Sequence, residues 1–550
     1  MRGLPPKLHD IACETDLVVP AADGSPLLTD HYFPVSDGDF PTLLIRSPYG
    51  RGFPWAPMYG VLLAEQGFHV VLQSCRGTGG SGGAFHLWRN EAADGHAAVA
   101  WLRRQSWFSG VLGTIGPSYL GYVQWALALD PPPELRAMVV QVGLHDPHRL
   151  FHNEGAFAFE NSLVVGVGMT NQHRGLGRFV GATVRLMRHL RGITRSLPLA
   201  EAYVPGLGGR VPFLDEVMAH PEAADPHWRG ADVGAAADRL AVPTSLIGGW
   251  HDVLLDQNLE QYDRLRRAGC ETSLLVGPWT HTSALQQGWP EVFAESLAWL
   301  RAHLCGDPSG LRTTPVRVHV GGSEEWRDLP DWPSAGAGRR WYLDGDGTLD
   351  DRAAGGDGGA GGGDASPVPL GAFRYLPADP TPSVGGPLLS AKAGRRDNTA
   401  LEAREDVLTF TTAPLTEPVH LLGPVSAELS VSVDTGHADV FARLCDVDAD
   451  GRSTNVCDGI RRLRPPAESP SSATAMTPVT VAMSSTAHHF PVGHRIRLQI
   501  SGGAHPRFAR HTGTDEPLAT ATRLVPSEIS LHHPSALVLP TVREEPPAAG

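Results

Sequence analysis

The fold is decided by the stretch Val111-Leu112-Gly113-Thr114-Ile115-Gly116-Pro117-Ser118-Tyr119-Leu120-Gly121. An apolar run containing β-branched residues meets a serine flanked by glycines, and an apolar helix pattern follows at Tyr122, Val123, Trp125, Leu127 and Leu129. The reading is strand, tight turn, helix, with Ser118 at the turn. Such a turn strains the serine backbone and lifts its hydroxyl above the sheet edge, so small residues are needed where strand and helix nearly touch. Gly116 and Gly121 give that room, although the second glycine comes one residue later than in the usual Gly-x-Ser-x-Gly. In a chain with 63 glycines the turn alone does not assign the serine.

Working outward, the strands 42–46 and 69–73 precede this unit, and 137–142 follows it after a Pro-rich turn. Strands alternating with helices at these lengths predict a parallel sheet covered on both faces, with an antiparallel start over 14–46. Residues 147–231 then turn helical and glycine-broken, which suits an insertion over a pocket. The sheet resumes with Pro243-Thr244-Ser245-Leu246-Ile247-Gly248-Gly249-Trp250-His251-Asp252 and Thr272-Ser273-Leu274-Leu275-Val276-Gly277-Pro278-Trp279-Thr280-His281. Two strands thus end at a carboxylate and at an imidazole.

Catalytic groups of open α/β sheets collect at the carboxyl ends of parallel strands, where Ser118, Asp252 and His281 all fall. Serine, acid, histidine is also the chain order of α/β-hydrolases. A serine hydroxyl is a poor nucleophile at neutral pH, so an imidazole must take its proton and a carboxylate must orient the imidazole. On residues alone the choice stays open: His251 competes with His281 as base, and Asp256 with Asp252 as acid.

Composition narrows the function further. At 550 residues, 41% hydrophobic and 19% charged, the chain fills two or three soluble domains. A net charge of -14 and a pI near 6.0 argue against nucleic acid, and the arginines of 185–195 read as a solvated helix face. No run is apolar enough to span a bilayer and no signal peptide opens the chain, so a cytoplasmic location is expected. Six scattered cysteines without a CxxC pair predict neither a disulfide framework nor a zinc site.

Two motifs invite other readings. Gly77-x-Gly79-x-x-Gly82 matches a dinucleotide fingerprint, but no helix starts inside it; the next helical pattern opens at Glu91, where Glu91 and Asp94 suit the helix dipole. Asp446-x-Asp448-x-Asp450-Gly451 begins like a calcium loop, but Cys457 stands where a bidentate Glu is required, and a hairpin turn is the better account. Beyond Cys305, short strands recur without long helices, predicting an all-β sandwich; 355–363 reads as a low-complexity glycine loop.

Gly116-Pro117-Ser118-Tyr119-Leu120-Gly121, Gly249-Trp250-His251-Asp252 and Gly277-Pro278-Trp279-Thr280-His281 resemble the CocE/NonD hydrolases, the cocaine esterase-like family related to X-Pro dipeptidyl-peptidases and α-amino-acid ester hydrolases. Arg46-Ser47-Pro48-Tyr49, Arg76-Gly77, Glu91, Asp94-Gly95 and Trp101-Leu102 extend the resemblance, as do Asp439-Val440, 450–453, Asp458-Gly459 and 493–498, so it covers nearly the whole chain. It implies an α/β-hydrolase domain in two parts (1–146 and 232–308), a helical cap insertion (147–231) and a C-terminal jelly roll (309–550). It also implies Ser118 as nucleophile, His281 as base and Asp252 as orienting acid, with an oxyanion hole formed by the Tyr49 hydroxyl and the Tyr119 backbone N–H. Trp250, His251 and Leu254 are placed at the substrate pocket. Two departures stand out: Leu254 replaces a Phe of some relatives, and His251 replaces a frequent Tyr.

The activity implied is hydrolysis of small carboxylic esters through an acyl-enzyme, with no metal or organic cofactor. A small-molecule ester is the expected partner and a homodimer an option. An amide-cleaving or aminoacyl-ester enzyme is the alternative; it would need an anion for the substrate ammonium, with Glu154 or Glu160 of the insertion as candidates. A non-catalytic binding protein and a nucleotide-dependent oxidoreductase are the more distant readings.

Overall fold

The computed structural model of the chain describes residues 3–333, 338–351, 369–465 and 476–542. The glycine-rich segment 355–363 lies outside them. Strands β1 (Ile11–Pro20), β2 (Pro26–Pro34), β3 (Thr42–Ser47), β4 (His69–Ser74), β5 (Leu112–Pro117), β6 (Leu135–Gln141), β7 (Thr244–His251), β8 (Thr272–Thr280), β9 (Val316–Val320) and β10 (Glu325–Leu329) form one ten-stranded sheet. Its order is β1-β2-β4-β3-β5-β6-β7-β8-β9-β10. Neighbours from β4 to β9 run parallel, while β1, β2 and β10 pair antiparallel at the two edges.

Every residue of β3, β4, β5 and β7 is buried, as the continuous apolar runs of a sheet covered on both faces require. Helices α1 (Glu91–Leu102), α2 (Tyr119–Ala128), α3 (Phe159–Asn171), α4 (Leu176–Arg195), α5 (Pro212–Ala219), α6 (Leu255–Arg267) and α7 (Trp289–Cys305) supply the cover. Leu102, Trp125 and Leu265 of α1, α2 and α6 join one core cluster, and Trp289, Phe293 and Leu300 of α7 join the one on the opposite face. Helices α3, α4 and α5 belong to the expected insertion. In α4, Leu186 and Ile193 are buried while Arg185, Arg188 and Arg191 are exposed, so this arginine run is a solvated face.

The C-terminal region is a sandwich of antiparallel sheets. Arg339–Leu343, Ser527–Leu539, Val419–Val433 and Thr477–Phe490 run through a seven-stranded sheet, and Val407–Thr411, Arg495–Ser501, Ala438–Val447 and Ser453–Leu463 form a four-stranded one. Buried and part-exposed positions alternate along much of Val419–Val433, which presents one face to the core between the sheets. Residues 448–452 turn the hairpin between Ala438–Val447 and Ser453–Leu463. Asp448 Oδ1 accepts the backbone N–H groups of Asp450 and Arg452, and Asp446 binds His488 and His494, so these acids serve a turn and two imidazoles.

The sequence boundary at 308/309 is too early. β9 pairs in parallel with β8, Leu274 opposite Val316, and β10 folds back on β9, so the ten-stranded sheet continues to Leu329. The run Val-Arg-Val-His-Val has the alternation of a sandwich strand, which misplaced it. Among the described residues, no helix is long and apolar enough to cross a membrane.

Candidate active site

Tyr49, Ser118, Asp252 and His281 sit just past the carboxyl ends of β3, β5, β7 and β8 respectively. Ser118 has φ 56 and ψ -121, a conformation that side-chain-bearing residues rarely adopt and that strand-to-helix turns of this kind impose. The glycines behave as the turn demands. A Cβ on Gly116 would lie 2.5 Å from Leu120 Cβ, and one on Gly121 would lie 3.0 Å from Gly143 Cα on the far side of β6. Moving the second glycine one residue later therefore still clears the crossing of α2 over the sheet.

β7 and β8 pair in parallel, Gly249 opposite Gly277, and a one-residue shift near their ends sets His251 opposite Thr280, so that Asp252 and His281 follow a paired position. His281 Nδ1 lies 2.7 Å from Asp252 Oδ1, and the Asp252 side chain is fully buried. With Nδ1–H donated to the carboxylate, Nε2 is left as the acceptor. Asp256 instead hydrogen-bonds Ser484 Oγ at 3.2 Å, in a polar cavity behind Asp252.

The Tyr49 hydroxyl lies close enough to the Ser118 hydroxyl and the Tyr119 backbone N–H for both to favour its ionised form. Burial pushes this phenol up to about 12 against the opposing pull of those two groups, so it stays protonated at neutral pH. Its ring stacks on Trp55 with centroids 5.4 Å apart.

Tyr49, Ser118, Tyr119, Leu254 and His281 line one cavity of about 260 Å³, closed by the insertion at Met169 and Phe179 and by Leu389 of the C-terminal sandwich. Trp250 and His251 do not line it. Trp250 is buried with Nε1–H donated to the His319 carbonyl at 2.6 Å. His251 is buried among Arg395, Asp458, His488 and Glu324, and burial lowers its pKa to about 4. Neither insertion acid reaches the cavity: Glu154 pairs with Arg461, and Glu160 is buried outside it.

Glu91 and Asp94 do more than cap a dipole. Arg46, 3% exposed, lies 3.0 Å from Glu91 and 3.8 Å from Asp94, and Arg76 grips Asp94 with two hydrogen bonds of 2.6 and 3.1 Å. Glu91 Oε1 accepts the Tyr119 hydroxyl at 2.9 Å, and that hydroxyl accepts the Trp88 N–H at 2.8 Å. This buried charge network fixes the residue whose backbone N–H meets Tyr49. The signal for it in the sequence was two strand-end arginines and two acids one helical turn apart.

The profile of the X-Pro dipeptidyl-peptidase S15 family matches residues 23–283, and that of the X-Pro dipeptidyl-peptidase C-terminal non-catalytic domain matches 310–534. Cocaine esterase of Rhodococcus sp. (strain MB1 Bresler) is 31% identical over 96% of this chain and 98% of its own. The chain belongs to the CocE/NonD hydrolase family. A CocE/NonD family hydrolase of Staphylococcus aureus shares the fold at TM-score 0.68 and 18% identity, covering 97% of this hydrolase and 94% of the other chain. An α-amino acid ester hydrolase shares it at TM-score 0.78 and 20% identity, covering 98% of each. This CocE/NonD hydrolase is accordingly a serine ester hydrolase. The family profile puts the start of the second domain at 310, whereas strand pairing keeps 316–329 in the first.

Proposed function

We propose that this hydrolase cleaves carboxylic esters of small, neutral, largely apolar molecules through an acyl-enzyme on Ser118. The observation that carries the reading is the meeting of Ser118, Tyr49, Tyr119 and the Asp252-braced His281 at one cavity. His281 Nε2 takes the Ser118 proton as Oγ attacks the carbonyl carbon, and Asp252 stabilises the imidazolium. The oxyanion replaces the Ser118 hydroxyl as partner of Tyr49 and takes the Tyr119 N–H; one such donor is worth about 3 kcal/mol. The C–O bond breaks, the alcohol leaves with the His281 proton, and water returns the acid and free enzyme by the same steps reversed. The ten-stranded sheet is read as an α/β-hydrolase sheet under a helical cap, and the sandwich as a jelly roll.

The cavity separates this from the aminoacyl and amide alternative. None of its lining residues is a carboxylate, so a substrate ammonium would enter an apolar space without a counter-charge, at a cost of several kcal/mol. The test is turnover of a short-chain p-nitrophenyl ester by the wild type, Ser118→Ala, His281→Ala and His251→Ala, beside an α-amino ester of the same length. Activity should fall about 10⁴-fold in the first two variants, stay within a few-fold in the third, and favour the plain ester. Wild-type rates in Ser118→Ala would overturn the mechanism, and preference for the amino ester would overturn the substrate class.

A further inference from the structure

Next to the catalytic cavity lies a second one, of about 370 Å³, between the loop before α1 and helices α3 and α5. Leu87, Trp88 and Met169 line both. The two spaces therefore share a wall three side chains wide. Beyond it the chamber is walled by Phe85, Phe213 and Val217, with Arg89, Glu216 and His227 among its polar residues.

The components of the wall differ in rigidity. Trp88 has φ 56, a left-handed conformation costly for a bulky residue, and is held there by its N–H bond to the Tyr119 hydroxyl. Its ring is wedged against Phe151 and Trp228, with centroids 6.0 Å away in each case. Trp88 is a fixed sill. Met169 is partly exposed near the end of α3, and its unbranched thioether can re-pack around a guest. The catalytic cavity alone, at about 260 Å³, falls below the roughly 300–1,000 Å³ typical of small-molecule sites, whereas the two joined fall within it.

We propose that the chamber is a distal substrate subsite: displacement of Met169 over the Trp88 sill joins it to the catalytic cavity and admits the far end of a long apolar arm of the ester. The inference rests on the proposed function and narrows its substrate class to esters with a medium-length alkyl or arylalkyl arm. Phe213 is suited to the test because it lines the chamber and not the catalytic cavity.

Two ester series should be compared by kcat/KM: p-nitrophenyl acetate to decanoate, which lengthens the acyl arm, and ethyl to decyl acetate, which lengthens the alcohol arm. Phe213→Trp fills the chamber and should cost roughly tenfold or more on the long members of one series, with the shortest member unchanged. Phe213→Ala enlarges the chamber and should move the optimum of that series to longer chains. The series that responds identifies the arm. Chain-length profiles that coincide in both series for wild type, Phe213→Trp and Phe213→Ala would overturn the subsite, given wild-type acetate turnover as proof of folding. Wild-type acetate turnover by Ser118→Ala would instead overturn the parent mechanism and the subsite with it.

Discussion

On one side of the Asp252–His281 pair, the front, lies the cavity at Ser118 and His281, walled mostly by hydrocarbon; on the other, the back, lies a space of about 60 Å³ lined by Asp252 itself with Asp256, Asp458, Ser484 and Arg507. The same carboxylate serves both sides. Oδ1 is committed to His281, while Oδ2 has no hydrogen-bond partner among the described residues and Asp252 borders the polar space. The contrast separates two uses of burial. On the front, low polarity strengthens each contact to developing charge. On the back, carboxylates and guanidinia neutralise one another: Asp458 binds Arg443 at 2.9 Å and Arg507 at 2.6 Å. Asp252 and Asp256 line the same polar space, and what separates them is that Asp252 is the one bonded to His281.

The sharpest way to break the comparison is to neutralise each of these two acids in turn. Asp252→Asn should lower kcat about 10⁴-fold through loss of the correct imidazole tautomer, while Asp256→Asn, four residues on, should stay within a few-fold. Equal losses, read by steady-state kinetics, would erase the distinction. Next in size is the charge network behind the turn. Glu91→Ala leaves Arg46 buried beside one remaining acid and should cost about 3–5 kcal/mol in chemical denaturation, with the midpoint moving and the slope constant.

Tyr49→Phe tests the front alone. It removes one donor and should reduce kcat by about 10²–10³ with stability and KM nearly unchanged. The smallest effect belongs to a buried residue that lines neither space. His251 is held neutral by burial, its pKa lowered from 6.5 to about 4, so the unfolded state binds the extra proton between those values. Its contribution to stability is complete above pH 6.5 and is lost as pH falls toward 4. His251→Gln should flatten that acid limb in pH-dependent unfolding, while the pH profile of kcat/KM keeps its shape.

This division also explains what could be read in advance. Ser118, Asp252 and His281 were legible because each ends a strand, and strand ends converge in a parallel sheet. His251 stays out of the cavity because successive strand residues point to opposite faces, so adjacency to Asp252 turns it away; Trp250, two residues before the acid, is instead tied to the His319 carbonyl. Leu254, the residue immediately before α6, does line the cavity. Met169, Phe179 and Leu389 carry no local signal, since they reach the cavity from an insertion and a second domain whose packing no spacing encodes. The role of Glu91 likewise depended on which strands lie beside α1.

The continuation of the ten-stranded sheet to Leu329 bears on how the chain can be divided. A fragment ended at residue 308 would strip β9 from β8 and bare a parallel edge whose backbone groups between Leu274 and Val276 are now paired. Such an open edge is a template for association with other chains. Ending instead after β10 leaves an antiparallel border bearing Glu325, Arg327 and Asp328, the charged kind of edge that discourages self-assembly. The short hairpin past residue 308 thus ends the ten-stranded sheet on a charged antiparallel strand in place of an open parallel one.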